Sequence, residues 1–434
     1  MTLKQKLNKI KQIIKENESA LINALKQDLN KSEYETYLSE LIPVYQEINY
    51  FIRKSRKIKR FIPQNKLWSL LIGQEGYIYK PHGKVLIFNS WNYPVNLLFI
   101  PLIGALSADN EIFVKIHPFT KSTKIVLEDL IQKINAFIPQ VKLEDSISVE
   151  KSLEKEWDFI FFTGGHALAE LIKEYSTIHQ IPICLELGGK SPAIIFEDAN
   201  LKNAAKQLIF GKLLNSGQTC VAPDYILVHE SVKEQLKENL KTELLKLTKN
   251  NFLNDVNFPK IININNFSKI HTILEEVNVN PFSNATTCKI EPIIVEESKE
   301  HKQIWNEEIF APIFLLKSFN KKSEILDTYN LNPNPLIAYV FTKNRQNIDF
   351  VIENIDYGNL MVNKTIDIIS NNRLSFGGYK NSGVNRYRGW SSFELFSHKS
   401  AYLNKRFDFL AYIKRHPYTN KKLNILKKIL NFYR

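Results

Sequence analysis

Short apolar runs alternate with longer segments of helical periodicity between residues 84 and 228 of the sequence. Two of these segments, PVNLLFIPLIGALSA and TKSTKIVLEDLIQKINAF, separate the first three runs and repeat their apolar residues at helical spacing. Strands that alternate with helices in this way predict an α/β fold, with a parallel sheet and helices on both of its faces. The predicted strands are KVLIF (84–88), EIFVK (111–115), DFIFF (158–162), PICLE (182–186), PAIIF (192–196) and YILV (225–228).

The segment that precedes this alternation is predicted to be helical. A second helix is predicted from about Glu35 to Arg60, and it ends near Pro63 because proline cannot continue a helix. The first part of the segment carries one apolar stripe at helical spacing, formed by Leu3, Leu7, Ile10, Ile14, Leu21 and Leu25.

The length and the cysteine pattern limit the class of protein. A chain of 434 residues is long enough for two or three domains of roughly 100–200 residues each. The N-terminus lacks the apolar core of a secretory signal, and no apolar window of about 18 residues is present, so a cytoplasmic protein is expected. Cys184, Cys220 and Cys288 form no CxxC pair, which argues against a zinc site and fits free thiols in a reducing compartment.

The net charge of +13 is spread along the chain, with 58 basic and 45 acidic residues. No basic run is interleaved with aromatic residues as a strand-binding groove requires, so no nucleic-acid partner is expected. The most concentrated basic segment is the tail KKLNILKKILNFYR (421–434), whose leucines and isoleucines recur at helical spacing. Such a helix either caps its own domain or makes weak contact with a membrane surface.

Candidate functional residues follow the predicted strands, where parallel sheets bind their ligands. FNSWNYPVN (88–96) places the amide of Asn92 after the first strand, either as a hydrogen-bond donor in catalysis or as a helix cap. FFTGGHALAELI (161–172) runs from a strand through Thr163, Gly164 and Gly165 into a helix, a pattern that suits a phosphate but is weak by itself.

A carboxylate and a cysteine are the other two candidate catalytic residues. Glu186 ends an apolar strand in CLELGGKSPAIIF (184–196), and a carboxylate there is either functional or held in a structural ion pair. Cys220 in NSGQTCVAPDYILV (215–228) is either a nucleophile or an ordinary buried cysteine. The motifs EEIFAPIF (307–314) and LSFGGYKNSGVNRY (374–387) follow, and the order of all these motifs is more informative than any one of them.

That order resembles the aldehyde dehydrogenase superfamily, and most closely its class 3 branch, which acts on fatty and aromatic aldehydes. The resemblance is carried by WNYP (91–94), FTGG (162–165), LELGGKSP (185–192), GQTCVAPDYILV (217–228), EEIFAP (307–312) and FGGYKNSG (376–383), and it covers nearly the whole chain. It implies the aldehyde dehydrogenase fold, with a Rossmann-like coenzyme domain at 1–186 that includes a bridging hairpin near 70–84. A catalytic domain at 187–390 and a return to the bridging region at 391–434 complete the implied architecture of a homodimer.

The resemblance also implies a mechanism. Cys220 would attack the aldehyde carbon, and the amide of Asn92 with the Cys220 backbone N–H would hold the oxyanion. Hydride transfer to NAD or NADP would leave a thioester, which a water activated by Glu186 would hydrolyse to the carboxylic acid. Cys184, inside an apolar strand, would be a core residue.

Further roles carry over from the family pattern onto single residues. Lys115 would bind the adenosine ribose, and the turn from Thr163 through Gly164 to Gly165 would face the pyrophosphate. Glu308 would bind the nicotinamide ribose and Phe310 would lie against the nicotinamide ring. Tyr93 and Phe376 would lie at the mouth of the active site.

One departure affects the coenzyme. The family usually continues its ribose lysine with Pro-Ser-Glu, whereas Lys115 is followed here by Ile116, His117 and Pro118. The acid that favours NAD is therefore missing at Pro118, which leaves the choice between NAD and NADP open. Two alternatives to a hydrolytic enzyme also stay open: an acylating or reductive relative, and a non-catalytic protein on the same fold. The presence of both Cys220 and Glu186 argues against each.

Overall fold

The computed structural model describes residues 1–64, 73–248, 251–296, 303–405 and 410–433. The strands are β1 (Phe61–Pro63), β2 (Gly73–Pro81), β3 (Lys84–Phe88), β4 (Glu111–Lys115), β5 (Val141–Leu143), β6 (Phe159–Thr163), β7 (Ile183–Glu186), β8 (Pro192–Ile195), β9 (Tyr225–His229), β10 (Ser283–Asn284), β11 (Lys289–Ile290), β12 (Ile293–Glu296), β13 (Ile313–Phe319), β14 (Ile337–Phe341), β15 (Asn359–Val362), β16 (Gly383–Val384) and β17 (Ser397–Lys405).

The helices surround these strands, and none in the described part of the chain is long and apolar enough to cross a membrane. They are α1 (Leu3–Glu16), α2 (Glu18–Leu29), α3 (Glu33–Thr36), α4 (Ile42–Lys54), α5 (Asn96–Ser107), α6 (Lys121–Asn135), α7 (Val149–Leu153), α8 (His166–His179), α9 (Leu201–Leu213), α10 (Lys233–Thr248), α11 (Ile264–Glu276), α12 (Gln303–Asn306), α13 (Lys322–Leu331), α14 (Arg345–Asn354), α15 (Trp390–Leu395), α16 (Ala411–Lys414) and α17 (Asn420–Tyr433).

Two six-stranded sheets carry the fold. The first sheet has the strand order β16-β7-β6-β3-β4-β5, and its strands are parallel except for β16, which pairs antiparallel with β7. The second sheet has the order β12-β13-β9-β8-β14-β15 and is parallel throughout. Strands such as β6 and β14 are buried at every residue, as expected when helices cover both faces of a sheet. The predicted α/β class is confirmed, with each predicted strand found to within about one residue.

A smaller antiparallel sheet joins distant parts of the chain. Its order is β1-β2-β17, and β2 pairs with β17 along nine residues, from Gly73 with Lys405 to Pro81 with Ser397. The predicted hairpin near 70–84 corresponds to β2 and the start of β3, and its residues 70–72 lie outside the described residues. The domain limits at 186 and 390 stay a prediction, although the parallel strands of the first sheet end at Glu186 and those of the second begin at Pro192.

Two sequence-based predictions about the N-terminal helices were wrong. The apolar stripe from Leu3 to Leu25 is divided between α1 and α2, because Asn17 leaves the helical conformation and donates its side-chain amide to the Ile13 carbonyl oxygen (2.7 Å). The second helix does not run on to residue 60. It includes a π-helical turn at Tyr37–Leu41 and ends at Lys54, and Pro63 lies in β1.

A buried ion pair connects these helices to the first sheet. Lys31 and Glu40 are both fully buried, and the Lys31 Nζ lies 2.6 Å from Glu40 Oε1. The other carboxylate oxygen of Glu40 accepts the backbone N–H groups of Val95 and Asn96 at the start of α5 (3.1 and 2.9 Å). A carboxylate at this position satisfies N–H groups that have no partner inside the helix and interacts favourably with the helix dipole.

We expect Glu40→Ala to lower the free energy of unfolding by about 3–5 kcal/mol, because it leaves the buried Lys31 ammonium without its partner. Urea unfolding followed by circular dichroism measures the change. The double variant Lys31→Met/Glu40→Leu removes both charges and should be less destabilised than the single variant. A single variant as stable as the wild-type chain would contradict this account of the pair.

Candidate active site

A cavity of about 210 Å³ opens beyond the carboxyl ends of β3, β6 and β7. Eight of the predicted site residues line it: Asn92, Thr163, Gly164, Gly165, Glu186, Cys220, Glu308 and Phe310. The other lining residues lie inside the motifs but had no role assigned from the sequence: Ser90, Trp91, His166, Leu187 and Gly188. The structure therefore brings together residues that lie far apart in the sequence.

Cys220 lies in a loop with an unusual backbone. The loop begins with a 3-10 turn at Leu214–Gly217, in which Asn215 and Ser216 have φ values of +50° and +54°. Gly217 follows with φ +77°, and a Cβ atom there would lie 2.3 Å from the Ala311 carbonyl oxygen. Residues in the left-handed region are uncommon outside glycine and cluster at functional sites.

The side chain of Asn92 is fixed to this loop. Its Nδ2 donates to the Gln218 carbonyl oxygen (3.1 Å), two residues before Cys220, and its Oδ1 accepts the Tyr93 backbone N–H (3.1 Å). The Asn92 carbonyl oxygen accepts both the Lys31 ammonium (2.8 Å) and the Asn215 side-chain amide (2.9 Å). The amide is thus held beside the cysteine loop by contacts on both its backbone and its side chain.

Glu186 presents an unpaired carboxyl group to the same cavity. Its side chain is 5% exposed, and neither carboxylate oxygen has a hydrogen-bond partner among the described residues. Burial raises its pKa well above the usual value, while Arg388 and then Arg386 act in the opposite direction. A buried carboxyl group without a partner is costly, which is the signature of a functional rather than a structural residue.

The Cys220 thiol is held in its protonated form. Burial raises its pKa to about 12, and the carboxyl groups of Glu308 and Glu186 add to the shift, whereas Arg388 opposes it. Cys184 is fully buried in β7, in agreement with the predicted core position, and Cys288 is partly exposed. All three cysteines are free thiols.

One end of the cavity is formed by the turn between β6 and α8. The hydroxyl oxygen of Thr163 is buried with no partner among the described residues, and a Cβ atom added to Gly165 would meet no other atom within 4 Å. The helix that begins at His166 is 14 residues long, so its first N–H groups and its dipole favour an anion here. These features fit the pyrophosphate of a dinucleotide.

Glu308 and Phe310 line the opposite part of the cavity. Glu308 is so close to Gly188 that a Cβ atom there would lie 2.2 Å from Glu308 Oε2, and burial raises the Glu308 pKa to about 8. Phe310 has φ +50°, and its ring meets that of Trp91 edge to face at 5.7 Å. Below them, Lys190 pairs with Asp224, which also accepts the Ile309 backbone N–H (2.8 Å).

Three predicted residues lie outside the cavity lining. Lys115 ends β4, where its ammonium donates to the Ser146 carbonyl oxygen. Tyr93 is buried, with its hydroxyl 2.5 Å from Thr219 Oγ1 and the Lys31 ammonium 3.9 Å above its ring. Phe376 is buried beside Tyr387. Their roles at the ribose and at the mouth stay predictions.

The match to known proteins decides the family. Residues 3–401 match the model of the aldehyde dehydrogenase family. The chain belongs to the aldehyde dehydrogenase family. It is 33% identical to the 4,4'-diaponeurosporen-aldehyde dehydrogenase of Staphylococcus aureus, across 96% of this chain and 92% of that protein. It is also 33% identical to the dimeric NADP-preferring aldehyde dehydrogenase of Canis lupus familiaris, across 91% and 88% of the two chains.

A comparison with a solved structure supports the same family. The substrate-bound state of Staphylococcus aureus AldH superposes with a TM-score of 0.92 at 30% identity, across 100% of this chain and 94% of that one. Other relatives are family 3 members from Rattus norvegicus and Arabidopsis thaliana, which confirms the predicted class 3 branch. The chain is therefore an NAD(P)-dependent aldehyde dehydrogenase that oxidises an aldehyde to a carboxylic acid.

We expect alkylation of Cys220 by iodoacetamide to accelerate about tenfold per pH unit between pH 7 and 9 in the dehydrogenase without coenzyme. A raised pKa leaves only a small thiolate fraction, which grows with pH and has not saturated at pH 9. Mass spectrometry of the Cys220 peptide separates this thiol from Cys184 and Cys288. A rate that levels off below pH 8.5 would contradict the raised pKa.

Proposed function

We propose that Cys220 is the nucleophile, Asn92 the oxyanion donor and Glu186 the general base of this aldehyde dehydrogenase. The observation that carries the proposal is the shared cavity. In it the Asn92 amide is fixed to the Cys220 loop, and the Glu186 carboxyl group has no hydrogen-bond partner in the described part of the chain. An amide donor, a thiol and a free carboxylate are the three groups that acyl chemistry through a thioester requires.

The reaction then follows from the positions of these groups. Cys220 gives its thiol proton to solvent water, and the thiolate sulfur bonds to the aldehyde carbon. The carbonyl oxygen becomes an oxyanion that the Asn92 amide and the Cys220 N–H hold. A bound coenzyme would supply the nicotinamide ring that accepts the hydride, and a thioester on Cys220 would remain. A water that gives its proton to Glu186 attacks the thioester carbon, the sulfur leaves, and the carboxylic acid is released.

The coenzyme would be held by residues at both ends of the cavity. Thr163, Gly164 and Gly165, with the N-terminus of α8, fit the pyrophosphate, and Glu308 and Phe310 are placed for the nicotinamide ribose and ring. Lys115, at the end of β4, is proposed to bind the adenosine ribose. Because Pro118 follows where an acid usually stands, both NAD and NADP should be tested.

We expect Cys220→Ala to abolish aldehyde oxidation, since the covalent step has no substitute. The assay follows reduced-nicotinamide absorbance with NAD or NADP and aldehydes from short aliphatic to long-chain and benzaldehyde-type. Cys184→Ala is the matched control, because that thiol lies in the core of β7. Full activity in Cys220→Ala would refute the nucleophile.

We expect Glu186→Gln to slow steady-state turnover by about 10²–10⁴-fold, because an amide cannot take the proton of the attacking water. Thioester formation should survive, so a burst of about one reduced coenzyme per active site should precede the slow phase. Stopped-flow absorbance measures both phases. Unchanged turnover would remove Glu186 from the proposed role.

The aldehyde-oxidation assays also distinguish the hydrolytic enzyme from an acylating relative and from a non-catalytic protein. An acylating relative would need coenzyme A to release product, so turnover in its absence speaks against that route. A non-catalytic protein would show no aldehyde oxidation with either coenzyme. The free carboxyl group of Glu186 favours the hydrolytic enzyme, because an acylating enzyme does not activate water.

We further propose that the enzyme is a cytoplasmic homodimer. The free thiols are compatible with that compartment. Support for the dimer comes from β17, the outer strand of the β1-β2-β17 sheet, whose edge can pair with the same strand of a second copy. Light scattering on the purified protein distinguishes one copy from two.

The proposal of weak membrane-surface contact rests on α17. Its leucines Leu423, Leu426 and Leu430 are each close to half exposed, and Lys421, Lys427 and Lys428 lie between and around them. An apolar stripe flanked by lysines suits the interface of an anionic bilayer.

We expect the protein to sediment with vesicles of phosphatidylcholine and phosphatidylserine at low salt, and much less with phosphatidylcholine alone. Leu426→Glu/Leu430→Glu should abolish sedimentation, because it places charges on the apolar stripe. Aldehyde oxidation is the control, since α17 is not part of the cavity. Equal sedimentation with both vesicle types would contradict the proposal.

A further inference from the structure

The Glu186 carboxyl group needs a stabilising charge if it is to ionise in a buried cavity. None of its hydrogen-bond capacity is met by the described residues, and burial alone would keep it protonated. A base must nevertheless be a carboxylate when the water attacks. This inference rests on the function proposed above. The two cations that act on Glu186 are Arg386 and Arg388, in the segment that follows β16.

The guanidinium of Arg386 uses its hydrogen-bond donors in contacts with neighbouring loops. Its Nε donates to Ser375 Oγ (3.1 Å), Nη1 donates to the carbonyl oxygens of Gly358 (2.8 Å) and Gly377 (3.1 Å), and Nη2 donates to Asn359 Oδ1 (2.6 Å) and the Ser375 carbonyl oxygen (2.9 Å). A guanidinium has five N–H donors, and these five bonds use them all. Arg386 therefore holds its loops together and has no donor left for the cavity.

Arg388, in contrast to Arg386, has a hydrogen-bond donor that is not used. Its side chain is 5% exposed, its Nε is buried with no partner, and no carboxylate oxygen of the described residues lies within ion-pair distance of it. The guanidinium carbon lies 5.4 Å from the centre of the Tyr387 ring and 5.6 Å from that of Phe376. Aromatic faces hold a cation without using its hydrogen-bond donors, so this charge stays available to another group.

The backbone holds Arg388 in an uncommon conformation. Its φ is +82°, and it is followed by Gly389 with φ +53°. The Arg388 N–H donates to Ser392 Oγ (2.7 Å) and the Gly389 N–H donates to Glu47 Oε1 (2.7 Å). A left-handed arginine is strained and persists where the surroundings fix it, often at a functional site.

The charged and titratable groups around this cation include two residues of the cavity and two residues outside its lining. The charge of Arg388 acts on Glu186, Cys220, Glu47 and Tyr387. Glu186 also interacts with Arg386, Cys184 and Cys220, and Cys220 with Glu308, Tyr93 and Tyr339. Of the two cations, Arg388 is the one with unused hydrogen-bonding capacity.

We propose that Arg388 is a positioning residue for thioester hydrolysis, whose buried guanidinium is the counter-charge that lets Glu186 ionise and take the proton of the attacking water. It acts through Glu186 and does not touch the reacting carbon. The rings of Phe376 and Tyr387 hold the guanidinium in place while Glu186 is protonated. This role explains why a buried arginine with an unsatisfied nitrogen lies on the segment that follows β16, the strand that pairs with Glu186.

The test uses p-nitrophenyl acetate, which acylates Cys220 without coenzyme. The thiol displaces p-nitrophenol and forms an acetyl thioester, and water then releases acetate and regenerates the thiol. The burst of p-nitrophenol counts working Cys220, and the following steady rate measures hydrolysis. Both are recorded from pH 5.5 to 9.5 for the wild-type protein, Arg388→Met and Arg388→Lys, with Cys220→Ala as the blank and Glu186→Gln to identify the part of the profile that belongs to Glu186.

Loss of the cation raises the Glu186 pKa, so less carboxylate is present at a given pH. In Arg388→Met the hydrolysis midpoint should move up by about one pH unit and the rate below the midpoint should fall about tenfold at unchanged burst size. Arg388→Lys keeps the charge and should stay close to the wild-type midpoint. Arg345→Met, which removes an exposed arginine paired with Asp349 on α14, should leave the profile unchanged.

The outcomes separate this inference from the proposed function. An unmoved midpoint in Arg388→Met, with a normal burst, overturns the role of Arg388 and leaves the nucleophile intact, whatever the variant does to stability. An upward shift in Arg388→Met that is absent in Arg388→Lys supports it. The absence of a burst in the wild-type protein overturns the nucleophile and this inference together.

Discussion

The catalytic geometry depends on a network of buried hydrogen bonds that starts in the N-terminal helices. Lys31 binds both Glu40 and the Asn92 carbonyl oxygen, and Glu40 caps the start of α5. Glu35 accepts the Asn215 backbone N–H (2.6 Å), and Asn215 in turn reaches Asn92. Helices before the first sheet, the turn after β3 and the cysteine loop are thereby joined. Because every member of such a network is desolvated, small displacements are expensive, and this fixes the Asn92 amide relative to Cys220.

Several buried polar atoms in and around the cavity are left unsatisfied in the described part of the chain. Thr163 Oγ1, both oxygens of Glu186 and Arg388 Nε have no hydrogen-bond partner among the described residues, and neither has the buried Lys212 ammonium below the cysteine loop. Native proteins pair nearly all buried polar groups, and their exceptions concentrate where a ligand or a reacting group completes the set. Among the residues that line the cavity, the unpaired atoms of Thr163 and Glu186 are therefore available to a ligand or a reacting molecule.

The sequence predicted four strands of the first sheet, two strands of the second sheet and eight of the residues that line the cavity, because those signals are local. An apolar run of five residues identifies a strand such as β3, and a motif such as FTGG identifies a turn. The supporting contacts are not local. Glu35 and Asn215 are 180 residues apart, and Glu40 and Asn96 are 56 apart, so no pattern within one segment reveals them. Arg388 was missed for the same reason, and the break at Asn17 because the apolar stripe continues across it.

The position of β16 has a consequence for how the protein is made. Gly383 pairs with Glu186, and Val384 with Leu185, so the edge of the first sheet that carries Glu186 is completed by residues that come much later in the sequence. During synthesis, the strands up to β7 leave the ribosome long before β16 does. Until then the nascent chain has an open sheet edge and lacks the segment with Phe376 and Arg388. The first sheet is therefore expected to keep an open edge at β7 until residues 383–388 have been synthesised, and an open edge is a site for unwanted strand pairing.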